Sequence, residues 1–580
     1  MTRLGGRGLA LIIALFCFAF GLAAPAFAAA PTITSFTPTS GPLHTTVTIT
    51  GTNFTSPATV KFNGVASYTV VVKSATTITA VTPPLVSTGK VSVTTSGGTA
   101  TSSGVFTVTP GISSTPTVGP PGTAVNAQFS GFAAYEAVDV YVDATDLQLI
   151  SATRTGTGHV TVTIPNSATP GTHYVTAVGR HSGYSAQAAF TVRTDWAQYG
   201  FDASHANTNP VEATLGAGNV RKLAQVWRSN VATQTNNYDQ EAVVAGGIVY
   251  SVNDNGVVAT SESTGAPVWS QVLGQVAATP AVSGSTLLFG TTAGHLIALN
   301  AATGAVKYNV TLSNGSLYLP ITVVGSVAYT EVDTSDGTPG SIDAFDVTTG
   351  AQKWSYSISS YCFGASVSNG VLYTTCNNEH LYALNTSDGT LLFDDDATTY
   401  EHEGTPVVAN GLVICAGFDT NNDTSVVLAY DAADGSLRWV QSTPLDLIPF
   451  TTFTVADDEV FVRAENDSAS TYQIAAFQTA DGTPLWTVPA ATPQYFPMTA
   501  ANGLLYVPSY TSTRVLDVET GSRVTTVSGG QFATITDAGL IDAVNGTALM
   551  RFALPTSAYP TVQRPTAATL HPNHTLRTTA

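Results

Sequence analysis

Charge is what this sequence has least of: Asp, Glu, Lys and Arg together make up 10% of its 580 residues. Basic residues are the scarcer kind, 20 against 38 acidic ones, and the formal charge is −18. A surface of that sign repels phosphate backbones, which argues against nucleic acid as a partner. Cysteine is scarce too, at four residues. Cys17 lies in an N-terminal apolar run, leaving Cys362, Cys376 and Cys415, so at least one thiol has no partner within the chain. Beyond that first run, no segment has the ~18 uninterrupted apolar residues that a membrane span needs.

The first run reads as an export signal. Arg3 and Arg7 precede it, and Ala26-Phe27-Ala28 supplies the small residues of a cleavage site. Removal of residues 1–28 leaves 18 basic against 38 acidic residues, a net charge of about −20. The expectation is a monomer, secreted or held at the cell surface.

Thr, Val, Ser and Gly are dense in residues 31–108. Residues 31–108 alternate in short runs such as "TTVTIT" and "KVSVTT" between Gly and Pro turns, the pattern of a small β-sandwich. Residues 109–192 repeat the architecture in other words: "AVDVYVD", "HVTVTIP", "AAFTVRT". Neither segment gathers His, Cys or carboxylates in a way that suits catalysis, and a spacer role is expected of both.

Further on, the phrase "AFDVTTGAQKW" (Ala344 to Trp354) keeps returning. Its turn glycine stands at Gly265, Gly304, Gly350, Gly389, Gly435, Gly482 and Gly521, at spacings of 39, 46, 39, 46, 47 and 39 residues. Six residues before it, the first six copies carry Ala259, Ala298, Ala344, Ala383, Ala429 or Ala476. Four residues after it they carry Trp269, Tyr308, Trp354, Phe393, Trp439 or Trp486. Hairpins such as "ASVSNGVLYTT" precede each copy, so each unit holds four short strands, and the period is that of β-propeller blades. Glycine suits a turn with positive φ between the third and outermost strands. The alanine lets sheets pack closely, and the aromatic fills the gap between neighbours. Residues that repeat around a ring do not converge on one place, so the phrase is scaffold.

The last unit, "ATITDAGLIDAVNGTALMRFAL", is one strand short. "AQVWRSNV" (Ala224 to Val231), whose Trp227 mimics the repeat aromatic, is predicted to supply the missing strand. The predicted fold class is all-β: two immunoglobulin-like β-sandwich domains followed by an eight-bladed β-propeller over 196–555. Seven blades with an appended ribbon is the alternative. Residues 556–580, rich in Pro and Thr, are expected to be a flexible tail.

These motifs carry two family resemblances. "PTITSFTPTSGPLHTTVTITGTNF" with "VKFNGV" and "SSGVFTVTP" resembles the IPT/TIG immunoglobulin-like domains. The repeats, with "WAQYGFDASHANTNPVEATLGAGNVRKLAQVW" (Trp196 to Trp227) before them, resemble the pyrroloquinoline-quinone (PQQ) type of propeller found in quinoprotein alcohol dehydrogenases and in non-enzymatic assembly scaffolds. For the dehydrogenases that resemblance implies an adjacent-cysteine disulfide, a stacking Trp and a Ca²⁺ site near a catalytic Asp. Here no two cysteines are adjacent, and no catalytic residue carries over.

Loop length points to the face where function would sit. The tight turns are uniformly short, whereas "EVDTSDGTPGSID", "GFDTNNDTS" and "AENDSAST" lengthen the opposite face. That face is acidic (Asp333, Asp336, Asp394, Asp395, Asp396, Glu401, Glu403, Asp419, Asp423, Glu465 and Asp467). The segments leading to the innermost strands carry Tyr238, Tyr318, Tyr361, Tyr400, Phe450 and Tyr495. Rings and carboxylates around a channel mouth suit a protein partner with cationic groups or a cell-surface glycan. Asp419, Asn421 and Asp423 have the alternating spacing of a calcium loop, but Thr424 and Tyr430 stand where such a loop has Gly and Glu. Cys362 and Cys376 flank an Asn369-Gly370 hairpin turn that opposes their sulfurs, as a disulfide or as two buried thiols. The expected function is a secreted or surface binding or scaffold protein that needs no cofactor. The alternatives are a PQQ- and Ca²⁺-dependent oxidoreductase and a carbohydrate-active enzyme.

Overall fold

Alternation of β-branched and small polar residues sends every second side chain to one side of a strand. Within Thr46–Thr52 this buries Val47 and Ile49 and leaves Thr46 and Thr50 exposed. The computed structural model describes residues 28–555, apart from 42–44, 84–85, 87, 133–134, 182, 231–240, 254, 275, 277–278, 313–314, 335–339, 396–399, 444–445, 448–452, 467–470, 491–495, 531, 537–538 and 545–547. The predicted signal and tail therefore lie outside the described residues. Strands account for nearly all of the regular structure, and Val220–Lys222 forms a single 3₁₀ turn.

Residues 32–108 form two facing sheets of four and five strands around Phe36, Ile49, Phe62 and Phe106. Residues 111–192 form a second sandwich, of three and five strands. Its connections are tied by His173. Nδ1 lies 2.6 Å from an oxygen of Asp143 in one turn, and Nε2 lies 2.6 Å from the Thr169 carbonyl in another loop. A carbonyl and an ionised carboxylate both accept, so the ring between them carries both protons. The bond to Asp143 raises its pKa against the opposing effect of burial.

Eight antiparallel sheets of four principal strands come next among the described residues, with innermost strands at Val243–Ala245, Ala281–Ser283, Thr322–Val324, Cys362–Ser368, Tyr400–Ala409, Thr454–Ala456, Thr499–Ala501 and Thr534–Thr536. These strands lie against one another in chain order, and the eighth lies against the first. Side-chain hydroxyls cross the boundaries: Thr322 donates to Ala365 O at 2.6 Å, Thr454 to Met498 O at 2.7 Å and Thr534 to Ala242 O at 2.9 Å. The outermost strand of the eighth sheet is Ala224–Ser229, which pairs antiparallel with Ala548–Ala553, as the short last repeat anticipates. Glu262 reinforces that closure. Its carboxylate accepts from Thr536 at 2.7 Å and lies 3.8 Å from Arg551, and its carbonyl accepts from Trp227 Nε1 at 2.7 Å.

The recurring phrase makes the same joint between sheets. Each alanine stands directly across from the aromatic of its own copy, as Ala344 does from Trp354. The aromatic lies on the turn glycine of the next sheet, and the glycines hold φ between 65° and 75°. A β-carbon on Gly389 would come within 2.6 Å of the Trp354 ring, and one on Gly482 within 2.7 Å of Trp439. The indole N–H completes the joint by donating to that turn: Trp269 to Ala301 O, Trp354 to Thr386 O and Trp439 to Thr479 O, each at 2.9 Å. Seven boundaries are built this way, from Trp227 on Gly265 to Trp486 on Gly521. The eighth cannot be. Its receiving turn would join a third strand to a fourth, and in the closing sheet those strands come from opposite ends of the chain. Thr525 accordingly replaces the aromatic. Leu215, Val220 and Leu223, around the 3₁₀ turn, pack into that boundary instead.

Trp354→Ala is expected to cost about 3–5 kcal/mol in denaturant unfolding. Gly389→Ala should destabilise comparably although it adds one methyl, because positive φ and the indole both oppose it; an unchanged midpoint for Gly389→Ala would refute the joint. For His173 the raised pKa means stability that is fully present below the unfolded value of about 6.5 and lost as pH rises through the folded value. The melting-temperature deficit of His173→Gln should therefore be larger at pH 5.5 than at pH 9.

Candidate functional site

The channel enclosed by the innermost strands has two unlike ends. At the tight-turn end the chain closes it with its own linker. Trp196 exchanges backbone bonds with Val244 at 2.7 and 2.8 Å, and Ala197 O accepts from Val282 N at 2.7 Å. The Gln198 side chain bonds both backbone groups of Val323, at 2.7 and 3.2 Å. Ala203, Ser204, Ala206 and Asn207 then accept from Val367, Val408, Val455 and Ala500 at 2.6–3.0 Å, and Asn209 Nδ2 donates to Ile535 O at 2.8 Å. Residues 196–209 thus bond to all eight innermost strands in sheet order, each time within two residues of the hairpin turn.

The linker's own side chains occupy that end. Trp196, Tyr199, His205 and Asn207 are buried, and Tyr199 meets His205 edge-on at 5.2 Å between ring centres. His205 Nε2–H donates to Thr322 Oγ1 at 3.1 Å, and burial pushes the ring down to about 3, so it stays neutral. Sequence reasoning assigned this stretch only by resemblance. The signal available in it was a run of His, Asn and Gln beside aromatics, polar groups that can bond strand backbones from inside.

The other end carries those predicted site residues that lie among the described ones. Tyr318, ahead of the third innermost strand, is 51% exposed, and Tyr361, ahead of the fourth, is 47% exposed. Tyr361 stands edge-on to buried Phe363 at 5.6 Å. Tyr400 opens the fifth innermost strand half-buried, followed by exposed Glu401 and half-buried Glu403. Burial, and then the charge of Glu401, raises the Glu403 pKa above the usual carboxylate range. Tyr238, Phe450 and Tyr495 lie outside the described residues, as do Asp336, Asp396 and Asp467.

His402, between the two glutamates in sequence, turns the other way. Its Nδ1–H donates to Glu379 O and its Nε2 accepts from the Tyr430 hydroxyl, both at 2.9 Å, and burial lowers its pKa to about 4. Asp419 closes its own turn: one oxygen accepts from Asn421 N and Asn422 N at 2.9 and 3.1 Å, and the other from Asn422 Nδ2 at 2.8 Å. Asn421 and Asp423 are exposed. Among the described residues no three His, Cys, Asp or Glu are grouped so as to hold a metal ion. Cys362 and Cys376 form a disulfide between directly opposed residues of the fourth sheet's first two strands, at the loop-bearing end. Cys415 is a buried thiol whose pKa burial drives upward, and it is inert as a nucleophile.

Comparison with known proteins accounts for the ring. The family profile described as outer membrane protein assembly factor BamB matches residues 212–362, 340–462 and 426–557. The chain belongs to this PQQ-repeat family. Residues 31–108 match the IPT/TIG domain profile. The BamB of Yersinia pestis is 25% identical over 243 residues, which span 38% of this chain and 59% of that protein. Quinohemoprotein alcohol dehydrogenases share the fold: one from Pseudomonas putida HK5 at 12% identity and a TM-score of 0.52, over 64% of this chain and 81% of its own. Another, from Comamonas testosteroni, does so at 13% identity and a TM-score of 0.50, over 62% and 80%. The adjacent-cysteine disulfide that likeness to the quinoprotein dehydrogenases implies is not reproduced, because the disulfide here joins residues 14 apart in sequence.

An acid with a raised folded pKa costs stability once ionised, so the cost appears as pH rises through that value. Glu403→Gln in this BamB-type propeller is expected to raise the melting temperature by roughly 1–2 °C at pH 7.5 and by nothing at pH 4. A gain that did not depend on pH would rule out ionisation of Glu403 as its source.

Proposed function

We propose that this chain is an exported binding or scaffold protein. Its two sandwich domains carry an eight-bladed BamB-type propeller that offers the loop-bearing mouth of its channel to a partner. One observation carries the reading: the linker bonds to every innermost strand at the opposite end, so the axis is approached from the loop side. The rings there are solvent-facing at Tyr318 and Tyr361, ahead of the third and fourth innermost strands, and the fifth begins with half-buried Tyr400, exposed Glu401 and, two residues on, half-buried Glu403. Exposed aromatic faces beside carboxylates take lysine and arginine side chains through cation–π and charge attraction, each contact contributing about 0.5–2 kcal/mol. The same faces stack on sugar rings, which keeps a glycan as the second ligand class.

Kinship with an outer membrane protein assembly factor favours a protein partner over a metabolite. The quinoprotein reading draws on likeness of fold alone, and no residue is assigned a catalytic role.

The test uses the mature protein against arrays of basic peptides and of surface glycans. Tyr318→Ala/Tyr361→Ala/Tyr400→Ala is expected to weaken whichever binding is found by tenfold or more, that is, by at least ~1.4 kcal/mol. Undiminished binding by the triple variant would remove the channel mouth from the interface. A parallel titration with PQQ and Ca²⁺, followed by a dye-linked alcohol oxidation assay, is expected to give no turnover; turnover would replace the scaffold reading with the oxidoreductase.

A further inference from the structure

Charge is distributed unevenly around the ring. Residues 263–306 contain no Asp, Glu, Lys or Arg, whereas residues 308–437 contain 16 acidic residues and a single basic one, Lys353. The neutral stretch covers the outermost strand of the first sheet and nearly all of the second.

Outermost strands matter because each leaves one row of backbone N–H and C=O groups unpaired, which proteins guard with charge or proline. Six of the eight are guarded by charge: Arg228, Lys307, Lys353, Asp394 with Asp395, Arg438 and Arg523. A seventh, Pro484–Ala490, carries Pro489 within it. The outermost strand of the first sheet, Pro267–Val272, has no charge, and its proline stands at the first position, where it interrupts nothing. Its outward residues are Val268, 46% exposed, Ser270, and Val272, 80% exposed. Trp269 faces the other way, into the joint with the second sheet.

We propose that Pro267–Val272 is the pairing edge of a weak homodimer, in which two copies add their strands antiparallel across a twofold axis. Charge selects a second copy as the occupant. Two mature chains of net charge about −20 repel each other, and least where charge is absent. A twofold edge pair also sets each strand against itself, so a charged strand meets its own sign and an uncharged one does not. The spacing fits as well. With the axis through Ser270, Val272 of one copy stands opposite Val268 of the other, the residue at which the strand bulges, on the exposed side, joining two four-stranded sheets into one of eight strands. Two six-residue strands bury less than the ~1,000 Å² of a lasting interface, so the dimer is a micromolar one.

Sedimentation equilibrium of the mature chain from about 1 to about 100 μM is expected to show reversible dimerisation, stronger at high salt because repulsion is screened. Val268→Lys/Val272→Lys opposes lysines across the axis and is expected to weaken the dimer by roughly tenfold or more at an unchanged melting temperature. Val306→Lys, on the neighbouring edge, should leave it intact. A chain that stays monomeric throughout, as it would if the edge served another protein's strand, overturns the proposal. So does a dimer that the double variant does not weaken, or that Val306→Lys weakens equally.

Discussion

The ring depends on one joint, an aromatic side chain laid on the bare backbone of the next sheet's turn. A sheet of four short strands cannot bury both of its faces alone and must borrow cover from its neighbours. The joint supplies that cover three times over. The ring buries apolar area, the absent β-carbon lets it come close, and the indole N–H donates to a turn carbonyl, which at Ala301 also accepts from the Tyr250 hydroxyl at 3.0 Å. Where the aromatic is Phe393 the hydrogen bond is forgone and the packing on Gly435 remains. Contact with the glycine is therefore the essential part, and the hydrogen bond is an addition to it.

A closed ring of such joints must still accommodate the two ends of the chain. They share the last sheet, so opening the ring must break a strand pair as well as a face. The same choice removes the one turn that the seventh sheet could have docked against. A 3₁₀ turn and three aliphatic side chains occupy that boundary instead, and Arg221 Nε donates to Val524 O beside it at 2.9 Å. The irregular boundary is thus a direct consequence of how the ring is closed.

The linker that enters the ring gives the molecule its polarity. Innermost strands present unpaired N–H and C=O groups to the channel, and buried polar groups need partners. Residues 196–209 supply partners at the tight-turn end, with backbone carbonyls for most sheets and with Gln198 and Asn209 side chains for two. No residue of this stretch belongs to a repeat, because each must suit a different sheet. What is left open is the end with variable loops, half-buried Glu403 and exposed Tyr318 and Tyr361, where side chains are free to answer to a ligand rather than to the ring.

The period of Ala, Gly and aromatic in sequence determined the propeller, its strand order within each sheet and the borrowed strand at Ala224–Ser229. All three rest on local geometry and on spacing, which a chain carries in its residue order. Alternation likewise determined that His402 would turn away from Glu401 and Glu403. Only the tertiary structure decided that the linker fills one end of the channel, since its partners lie 48 to 326 residues away and no period links them. It also decided that Asp419 serves its own turn, whose chain path brings Asn421 N, Asn422 N and Asn422 Nδ2 within 2.8–3.1 Å of its oxygens. Guarding of the outer edges could be read from charge in the sequence. That Val268 and Val272 share the exposed side of the one unguarded edge depends on how the sheet is seated in the ring, with Trp269 held inward by the sheet beside it.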